Sequence, residues 1–213
     1  MLEMIPLFEG LTEADLEAIS SRSHTKRYRK STIVFSQGDE SDSLYILLSG
    51  RLRVFVSDDD GREVILGYLK PGEYVGELAL IDREPRSASV ITMEESRLCM
   101  ILHRDFSELL TANPQISSNI MVTLARRARA LANSVGSLAL LDVYGRTARA
   151  LLQQASEVEG ILITDRLTHQ EIANMVGASR EMVSRIMKEL KQGGYISIHE
   201  KHIHINQKLP TKW

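Results

Sequence analysis

The first half of the chain carries short apolar or alternating runs separated by glycines. The runs span residues 44–48, 52–56 and 64–69. The glycines beside them recur every 11 or 12 residues, at Gly38, Gly50, Gly61 and Gly72. Short strands interrupted at this interval are typical of an all-β barrel or sandwich. The segment 58–61, Asp-Asp-Asp-Gly, predicts a tight hairpin turn with the glycine at its second central position, where a positive φ is needed.

One short helix is predicted before these runs and a long one after them. Thr12 is a good N-cap for a helix over residues 12–20, with Asp15 three residues on. In the long helix Asn113 is a candidate N-cap and Pro114 suits the first helical position. Apolar residues then follow in steps of three or four: Ile116, Ile120, Leu124, Ala128, Leu131, Val135 and Leu138.

This long seam favours a two-stranded coiled coil, and so a homodimer. Three arginines, Arg126, Arg127 and Arg129, would flank it. The alternative is that the apolar stripe packs on its own domain. A domain boundary is predicted near residues 137–142, before a further helix over residues 143–154. At the C-terminal end, Gly193 and Gly194 precede two alternating segments, 195–198 and 203–205, which predict a β-hairpin.

Residues 169–188 have the pattern of a helix-turn-helix. The core positions are apolar, and Ala173 is small enough for two helices to cross closely. Gly177 allows the left-handed backbone of the turn, and Ser179 can cap the second helix. The apolar positions are Ile172, Val176, Ala178, Val183 and Ile186.

The second helix of this pattern presents Ser179, Arg180, Met182, Ser184 and Arg185 away from the core. Its N-terminal part is the part that enters the major groove of DNA in such motifs. An arginine fork matches the two acceptors of guanine, and Glu181 can accept from the cytosine amino group. The alternative is a helical hairpin whose charges face solvent. The candidate DNA-contacting residues are Thr168, Gln170, Ser179, Arg180, Glu181, Ser184, Arg185 and Lys188.

A second candidate site lies at residues 74–90. A Gly-Glu pair at the start of a short helix offers free backbone amides, which suit an anion. Arg86 can make a charge-assisted, two-point contact to a phosphate, and Ser87 adds a hydroxyl donor. Glu77 can accept from a sugar hydroxyl. The alternative is a surface Arg–Glu salt bridge at a loop.

Composition narrows the classes of protein. The chain has 213 residues, 43% hydrophobic and 25% charged, which suits one or two domains with a core and excludes a disordered chain. One cysteine excludes a disulfide framework and a cysteine-only zinc site. No apolar run approaches a membrane span, and residues 1–10 lack a signal-peptide pattern. We therefore expect a cytoplasmic protein.

The charge is unevenly distributed. Residues 1–110 have a net charge of −7 and residues 111–213 of +5, within a total of −2. Only the second part is then expected to meet a polyanion, although such asymmetry is common in soluble proteins. No nucleophile motif, P-loop or metal-spaced histidine pair is present, so an enzyme is not expected. His202 and His204 alternate on the last hairpin and are interpreted as groove-facing or solvent-facing residues rather than metal ligands.

Together these motifs resemble the CRP/FNR family of bacterial transcription regulators over nearly the whole chain. The resemblance covers the glycine-rich β part, the cassette at residues 76–79 and 86–88, the long helix, Leu141-Asp142-Val143 and the helix-turn-helix. It implies an α+β protein with a cyclic-nucleotide-binding β-roll over residues 1–112, a dimerisation helix over 113–137 and a winged helix-turn-helix over 138–213. His24 and Lys26 match the patch that related activators present to RNA polymerase.

The resemblance also implies residue roles. Glu77 would meet the ribose hydroxyl, Arg86 and Ser87 the cyclic phosphate, and Arg127 matches a ligand-side arginine of the long helix. The base-reading residues would be Arg180, Glu181 and Arg185. The candidate ligand-binding residues are Gly76, Glu77, Leu78, Arg86, Ser87, Ala88 and Arg127.

Some family features are missing. The Thr-Ser pair that meets adenine in cAMP-binding members is Leu131-Ala132 here, and the loop between Arg83 and Arg86 is one residue short. An N-terminal cysteine cluster and cassette-side Cys or His are absent, so neither an iron–sulfur cluster nor haem is expected. Cys99 is interpreted as a buried strand residue.

We therefore expect a homodimeric, DNA-binding regulator controlled by a cyclic nucleotide, with cAMP as the first candidate and cGMP or cyclic di-GMP as alternatives. Two other functions stay open. One is a nucleotide-binding module attached to an enzyme or channel, and the other is a constitutive DNA-binding factor whose β-roll is only a scaffold.

Overall fold

The computed structural model describes residues 5–210. The chain forms two compact units, one of residues up to 56 with 66–129, the other of residues 57–65 with those from 130 onwards. The described elements up to the long helix are a 3-10 helix Pro6–Phe8, α1 Glu13–Ser21, β1 His24–Tyr28, β2 Ile33–Phe35, β3 Ser43–Ser49, β4 Leu52–Ser57, β5 Glu63–Leu69, β6 Tyr74–Val75, α2 Glu77–Asp82, β7 Ser89–Thr92, β8 Ser96–Leu102, α3 His103–Ala112 and α4 Pro114–Leu140.

The remaining elements all lie in the second unit. They are α5 Val143–Gln154, β9 Ala155–Val158, β10 Ile161–Thr164, α6 His169–Val176, α7 Arg180–Gln192, β11 Ile196–His199 and β12 His202–Ile205. Its sheet has the order β11-β12-β10-β9. The β11–β12 hairpin confirms the prediction, whereas the β9–β10 hairpin was missed. Of the described helices, none is long and apolar enough to cross a membrane.

The three predicted strands are confirmed as β3, β4 and β5. Together with five further strands they form two sheets, β1-β8-β3-β6 and β2-β7-β4-β5. Strand β3 is apolar on both faces because both are covered. Leu44 and Ile46 pack in a cluster with the helices, whereas Leu47 packs against the other sheet with Leu52. This period of two is the side-chain alternation of a strand.

Cys99 lies in β8 and is 1% exposed, as predicted for a buried strand residue. Its burial raises the pKa of the thiol above its ordinary value.

Capping chemistry fixes the helix starts that the sequence predicted. Thr12 and Asp15 form a reciprocal capping box at α1. Asp142 accepts from the amide of Gly145 at 2.7 Å and starts α5 at the predicted residue. Each such cap satisfies an amide that has no partner inside its helix.

The turn at residues 58–61 differs from the prediction. The amide of Gly61 donates to the carbonyl of Asp58 at 3.0 Å, and the amide of Asp58 to that of Arg62 at 3.1 Å. Gly61 therefore follows the two central residues Asp59 and Asp60, with φ of +76°. The extra residue makes a three-residue loop rather than a two-residue one.

The long helix also corrects the predicted seam. Ile116 and Ile120 are 0% and 4% exposed in the core of the first unit, and Leu124 packs against the same cluster. For these residues the alternative, packing on their own domain, is right. Leu131, Val135 and Leu138 are at least half exposed. Steps of three and four fit both a domain core and a coiled coil, so the spacing alone did not separate them.

Candidate functional site

The first candidate site is the cassette around Gly76, between β6 and α2. Gly76 has φ of +94°, a conformation that side-chain-bearing residues rarely adopt. A Cβ on Gly76 would lie 2.1 Å from Nη1 of Arg86. Glycine is therefore required here both by the backbone and by the arginine that packs against it.

Arg86 is buried, with 5% of its surface exposed. Its Nη1 donates to the carbonyl of Gly76 at 3.0 Å, and its Nη2 to the carbonyl of Ser43 at 2.6 Å. Burial lowers the pKa of the guanidinium from its ordinary value. Both terminal nitrogens thus hold backbone carbonyls, so the two-point phosphate contact expected from the sequence is not available through them in this arrangement. The Nε of Arg86 is buried without a partner.

Glu77, the first residue of α2, is 1% exposed. Its Oε1 accepts from Nη1 of Arg127 in α4 at 2.6 Å. Arg127 also donates through Nη2 to the carbonyl of Tyr74, and its guanidinium lies 5.1 Å from the centre of the Tyr74 ring. This arginine therefore joins the cassette to the long helix. The second carboxylate oxygen of Glu77, Oε2, is buried without a partner.

The other cassette residues predicted from the sequence are divided between core and surface. Ala88 is buried, whereas Leu78 is 41% exposed. Ser87 is exposed, and no described side chain or backbone group hydrogen-bonds to its hydroxyl. The structure therefore brings Gly76, Glu77, Arg86 and Arg127 together through contacts and leaves Ser87 free for a ligand.

Sequence reasoning missed Ser43 and the aromatic residues beside Arg86, and it gave Tyr74 no role. Ser43 and Tyr74 act through backbone carbonyls, which leave no signature in the side chains. Phe35 lies 4.1 Å from the Arg86 guanidinium, but it is 51 positions away in the chain. No local motif could have connected them.

The second candidate site is the helix-turn-helix of α6 and α7. Gly177 has the predicted left-handed conformation, and its amide caps α6 through the carbonyl of Ala173. Ser179 caps α7 by accepting from the amide of Met182 at 3.2 Å. Val183, Ile186, Met187 and Leu190 are buried on one face of α7.

The opposite face of α7 carries the predicted DNA-contacting side chains. Arg180, Glu181, Arg185 and Lys188 are exposed, and none has a hydrogen bond or ion pair within residues 5–210. Their positions cover about 140° of the helix at 100° per residue. These four side chains are free to meet DNA.

The other predicted DNA-contacting residues have partners inside the motif. Thr168 and Glu171 form a capping box at α6. Ser184 lies 2.8 Å from Nδ1 of His169, which links the two helices. Gln170 donates to Asn174 at 2.8 Å on the exposed side of α6. These contacts orient the two helices of the motif.

The histidines of the last hairpin contact protein groups. His202 Nδ1 lies 2.9 Å from the carbonyl of Thr164, so this nitrogen donates. The rings of His199 and His204 meet edge to face with centres 4.9 Å apart. Within residues 5–210, no group of three or more His, Cys, Asp or Glu side chains could hold a metal ion.

Two protein-family models match the two parts of the chain that contain these sites. A family model described as a cyclic nucleotide-binding domain matches residues 25–113. A second, described as a Crp-like helix-turn-helix domain, matches residues 145–208.

Similar proteins cover nearly the whole chain. It is 36% identical over 197 residues to the cAMP-activated global transcriptional regulator CRP of Escherichia coli O6:H1, covering 90% of this chain and 94% of that protein. It is 36% identical over 195 residues to the cAMP-activated regulator Vfr of Pseudomonas aeruginosa, covering 87% and 91%. A solved structure of the c-di-GMP responsive regulator CLP of Xanthomonas campestris has a TM-score of 0.81 and 31% identity, covering 92% and 100%.

The Glu77–Arg127 contact generates a stability prediction. Replacing Arg127 by Met leaves a carboxylate buried without its cation, and we expect a loss of about 2 kcal/mol. In the double variant Glu77→Gln, Arg127→Met the charge is removed, so most of the loss should be recovered. Scanning calorimetry of the wild type, both single variants and the double variant measures this coupling. Additive losses would show that the ion pair contributes nothing.

Proposed function

The chain belongs to the CRP/FNR family of DNA-binding transcription regulators that respond to cyclic nucleotides, and the members of this family are not enzymes. We propose that the chain is a homodimer controlled by a cyclic mononucleotide, with cAMP as the first candidate. Residues 1–112 bind the ligand, 113–137 form the dimer and 138–213 bind DNA. A regulator that acts on DNA works in the cytoplasm of a bacterium, so we place it there.

The observation that carries the ligand proposal is a pair of buried atoms without partners. Glu77 Oε2 needs a donor and Arg86 Nε needs an acceptor. Buried polar groups are nearly always hydrogen-bonded, so unpaired ones call for a missing partner. The ribose hydroxyl and cyclic phosphate of a nucleotide supply one group of each kind, and the free hydroxyl of Ser87 adds a phosphate donor.

The charges of the cassette favour one negative charge on the ligand. Arg86 and Arg127 are cations and Glu77 is an anion, so the three groups sum to one positive charge. A cyclic mononucleotide carries one negative charge and a cyclic dinucleotide carries two. This balance supports cAMP or cGMP over cyclic di-GMP, which is the ligand named for the Xanthomonas relative.

Choice of the base depends on residues outside the cassette. Family members that bind cAMP meet adenine with a Thr-Ser pair, and Leu131 and Ala132 stand at those positions. Each lost neutral hydrogen bond is worth about 0.5–1.5 kcal/mol. We therefore propose weaker preference for cAMP over cGMP than the Thr-Ser members have, with the phosphate contact kept.

The proposed control is a shift between two states of the dimer. The ribose hydroxyl shares Glu77 with Arg127 and the phosphate attracts Arg127, and so the ligand alters the hold of the cassette on α4. The helix transmits this through residues 137–142 to the recognition helices. DNA binding requires these to lie about 34 Å apart, one turn of DNA.

An activating role is proposed for the edge strand β1. His24 and Lys26 are exposed there, where related activators contact RNA polymerase. Lys26 lies 5.3 Å from the Tyr28 ring, which holds the cation at the surface.

The nucleotide prediction is tested by calorimetry on nucleotide-free protein with cAMP, cGMP and cyclic di-GMP. We expect cAMP to bind and Arg86→Leu to abolish binding, because the phosphate loses its counter-charge. Arg83→Leu, an exposed arginine three residues earlier, is the matched control and should bind normally. Binding of cyclic di-GMP alone would assign a different ligand. If none of the three nucleotides produces heat up to millimolar concentration, the β-roll is only a scaffold.

The DNA prediction is tested by selection from random sequences. We expect a two-fold palindrome with half-sites resembling TGTGA, because Arg180, Glu181 and Arg185 are all present. Arg180→Ala should cost about 1–3 kcal/mol and relax the preference at one guanine. Lys188→Ala is the contrast, because loss of a phosphate contact weakens all sequences alike. Recovery of unrelated sequences without symmetry would contradict the assignment of Arg180, Glu181 and Arg185 as base-reading residues.

The dimer prediction uses the exposed stripe of α4. Met121, Ala125, Ala128, Ala132 and Val135 follow in steps of 4, 3, 4 and 3, and all are exposed. We expect Val135→Glu to dissociate the dimer, because it buries a charge in the seam. Ala130→Glu changes an exposed alanine on the opposite side of the helix and should leave the dimer intact. Sedimentation at micromolar concentration measures both, and a monomeric wild type would refute the dimer.

A further inference from the structure

Arg86 is a buried cation without a carboxylate partner. Among the described residues no Asp or Glu forms an ion pair with it, and the carboxylate of Glu77 is engaged by Arg127. Taking a charge out of water is costly unless other groups replace the lost hydration. Two backbone carbonyls replace part of it, at the edges of the guanidinium.

Aromatic rings cover the face of the same guanidinium. Its centre lies 4.1 Å from the centroid of Phe35 and 5.8 Å from that of Tyr45. The two rings are themselves 5.8 Å apart, tilted by 36°. A cation over an aromatic face is attracted by the ring, more strongly where water is excluded. Phe35 is therefore the nearest aromatic stabiliser of the Arg86 charge.

The backbone ties Phe35 to Arg86 as well. Phe35 ends β2, and the turn that follows it pairs with Arg86 on both sides. The Arg86 amide donates to the carbonyl of Asp39 at 2.9 Å, and the Arg86 carbonyl accepts from the amide of Gly38 at 2.8 Å. Ring and arginine therefore belong to one rigid piece of backbone.

We propose that Phe35 is a positioning residue that fixes the plane of the Arg86 guanidinium, and thereby sets which of the two exocyclic phosphate oxygens the arginine recognises. This inference rests on the proposed binding of a cyclic nucleotide. A planar group held at two edges by carbonyls and on one face by a ring has one orientation. The two exocyclic oxygens of a cyclic phosphate point in different directions, so a fixed guanidinium discriminates between them.

The test uses the Sp and Rp phosphorothioates of cAMP, in which sulfur replaces one or the other oxygen. We expect the wild type to prefer one isomer clearly. Phe35→Leu keeps an apolar side chain but removes the ring face. It should weaken binding of cAMP about 5- to 30-fold and bring the affinities of the two isomers close together. Phe35→Tyr keeps the ring and should keep the isomer preference.

Phe55→Leu is the matched control. Phe55 lies 4.8 Å from the guanidinium of Arg53 in β4 of the same sheet, and its ring is not one of the two that cover Arg86. Its loss removes a similar ring contact and should leave isomer preference unchanged. A merely structural effect of Phe35→Leu would weaken both isomers equally and keep their ratio.

A second measurement needs no nucleotide. The Nε–H proton of Arg86 should have a ring-current shift in the NMR spectrum of the free wild type, and lose it in Phe35→Leu. An unshifted proton, or an unchanged isomer ratio in a protein that binds cAMP, overturns the role of Phe35 and leaves the proposed function standing. If the wild type binds neither cAMP nor its phosphorothioates, the proposed function fails and this inference fails with it.

Discussion

The ion pair between Glu77 and Arg127 is the contact on which the proposed ligand site depends. The carboxylate is almost fully removed from water, so it needs a cation, and that cation comes from the long helix rather than from the cassette. A buried charge that loses its partner is strongly unfavourable. Any ligand that approaches Glu77 must therefore replace or share this pair. In the proposed mechanism, this ion pair couples occupancy of the cassette to the position of the helix.

The second buried charge of the cassette is held in a different way. Arg86 has backbone carbonyls and aromatic rings around it instead of a carboxylate. Such groups stabilise the cation without cancelling its charge, so the positive field remains available to an anion. A carboxylate in the same place would neutralise the guanidinium and compete with a phosphate. The two charges thus differ in their surroundings: Arg127 connects the cassette to the helix, and in the proposed function Arg86 attracts the ligand.

The sequence predicted the helix-turn-helix well because its constraints are local. Gly177, Ser179 and the buried face of α7 lie within about 20 consecutive positions, and each has one physical reason for its identity. The partners of Arg86 could not be predicted in the same way, because Ser43 and Gly76 act through carbonyls and Phe35 is remote in sequence. The prediction of a single apolar seam along α4 was wrong in part, because the same periodicity occurs in a domain core at Ile116 and in an exposed stripe at Val135.

The composition of that exposed stripe suits a dimer that must change. Three of its five residues, Ala125, Ala128 and Ala132, are alanines, each of which buries little apolar area compared with leucine or isoleucine. A seam of large side chains would interlock and resist rearrangement, whereas small ones allow helices to shift with little loss of packing. To move a two-state equilibrium from 1:99 to 99:1, a ligand needs about 5.5 kcal/mol of differential binding. In the proposed dimer, a weakly interlocked seam brings the two states close enough for the contacts of one small ligand per subunit to decide between them.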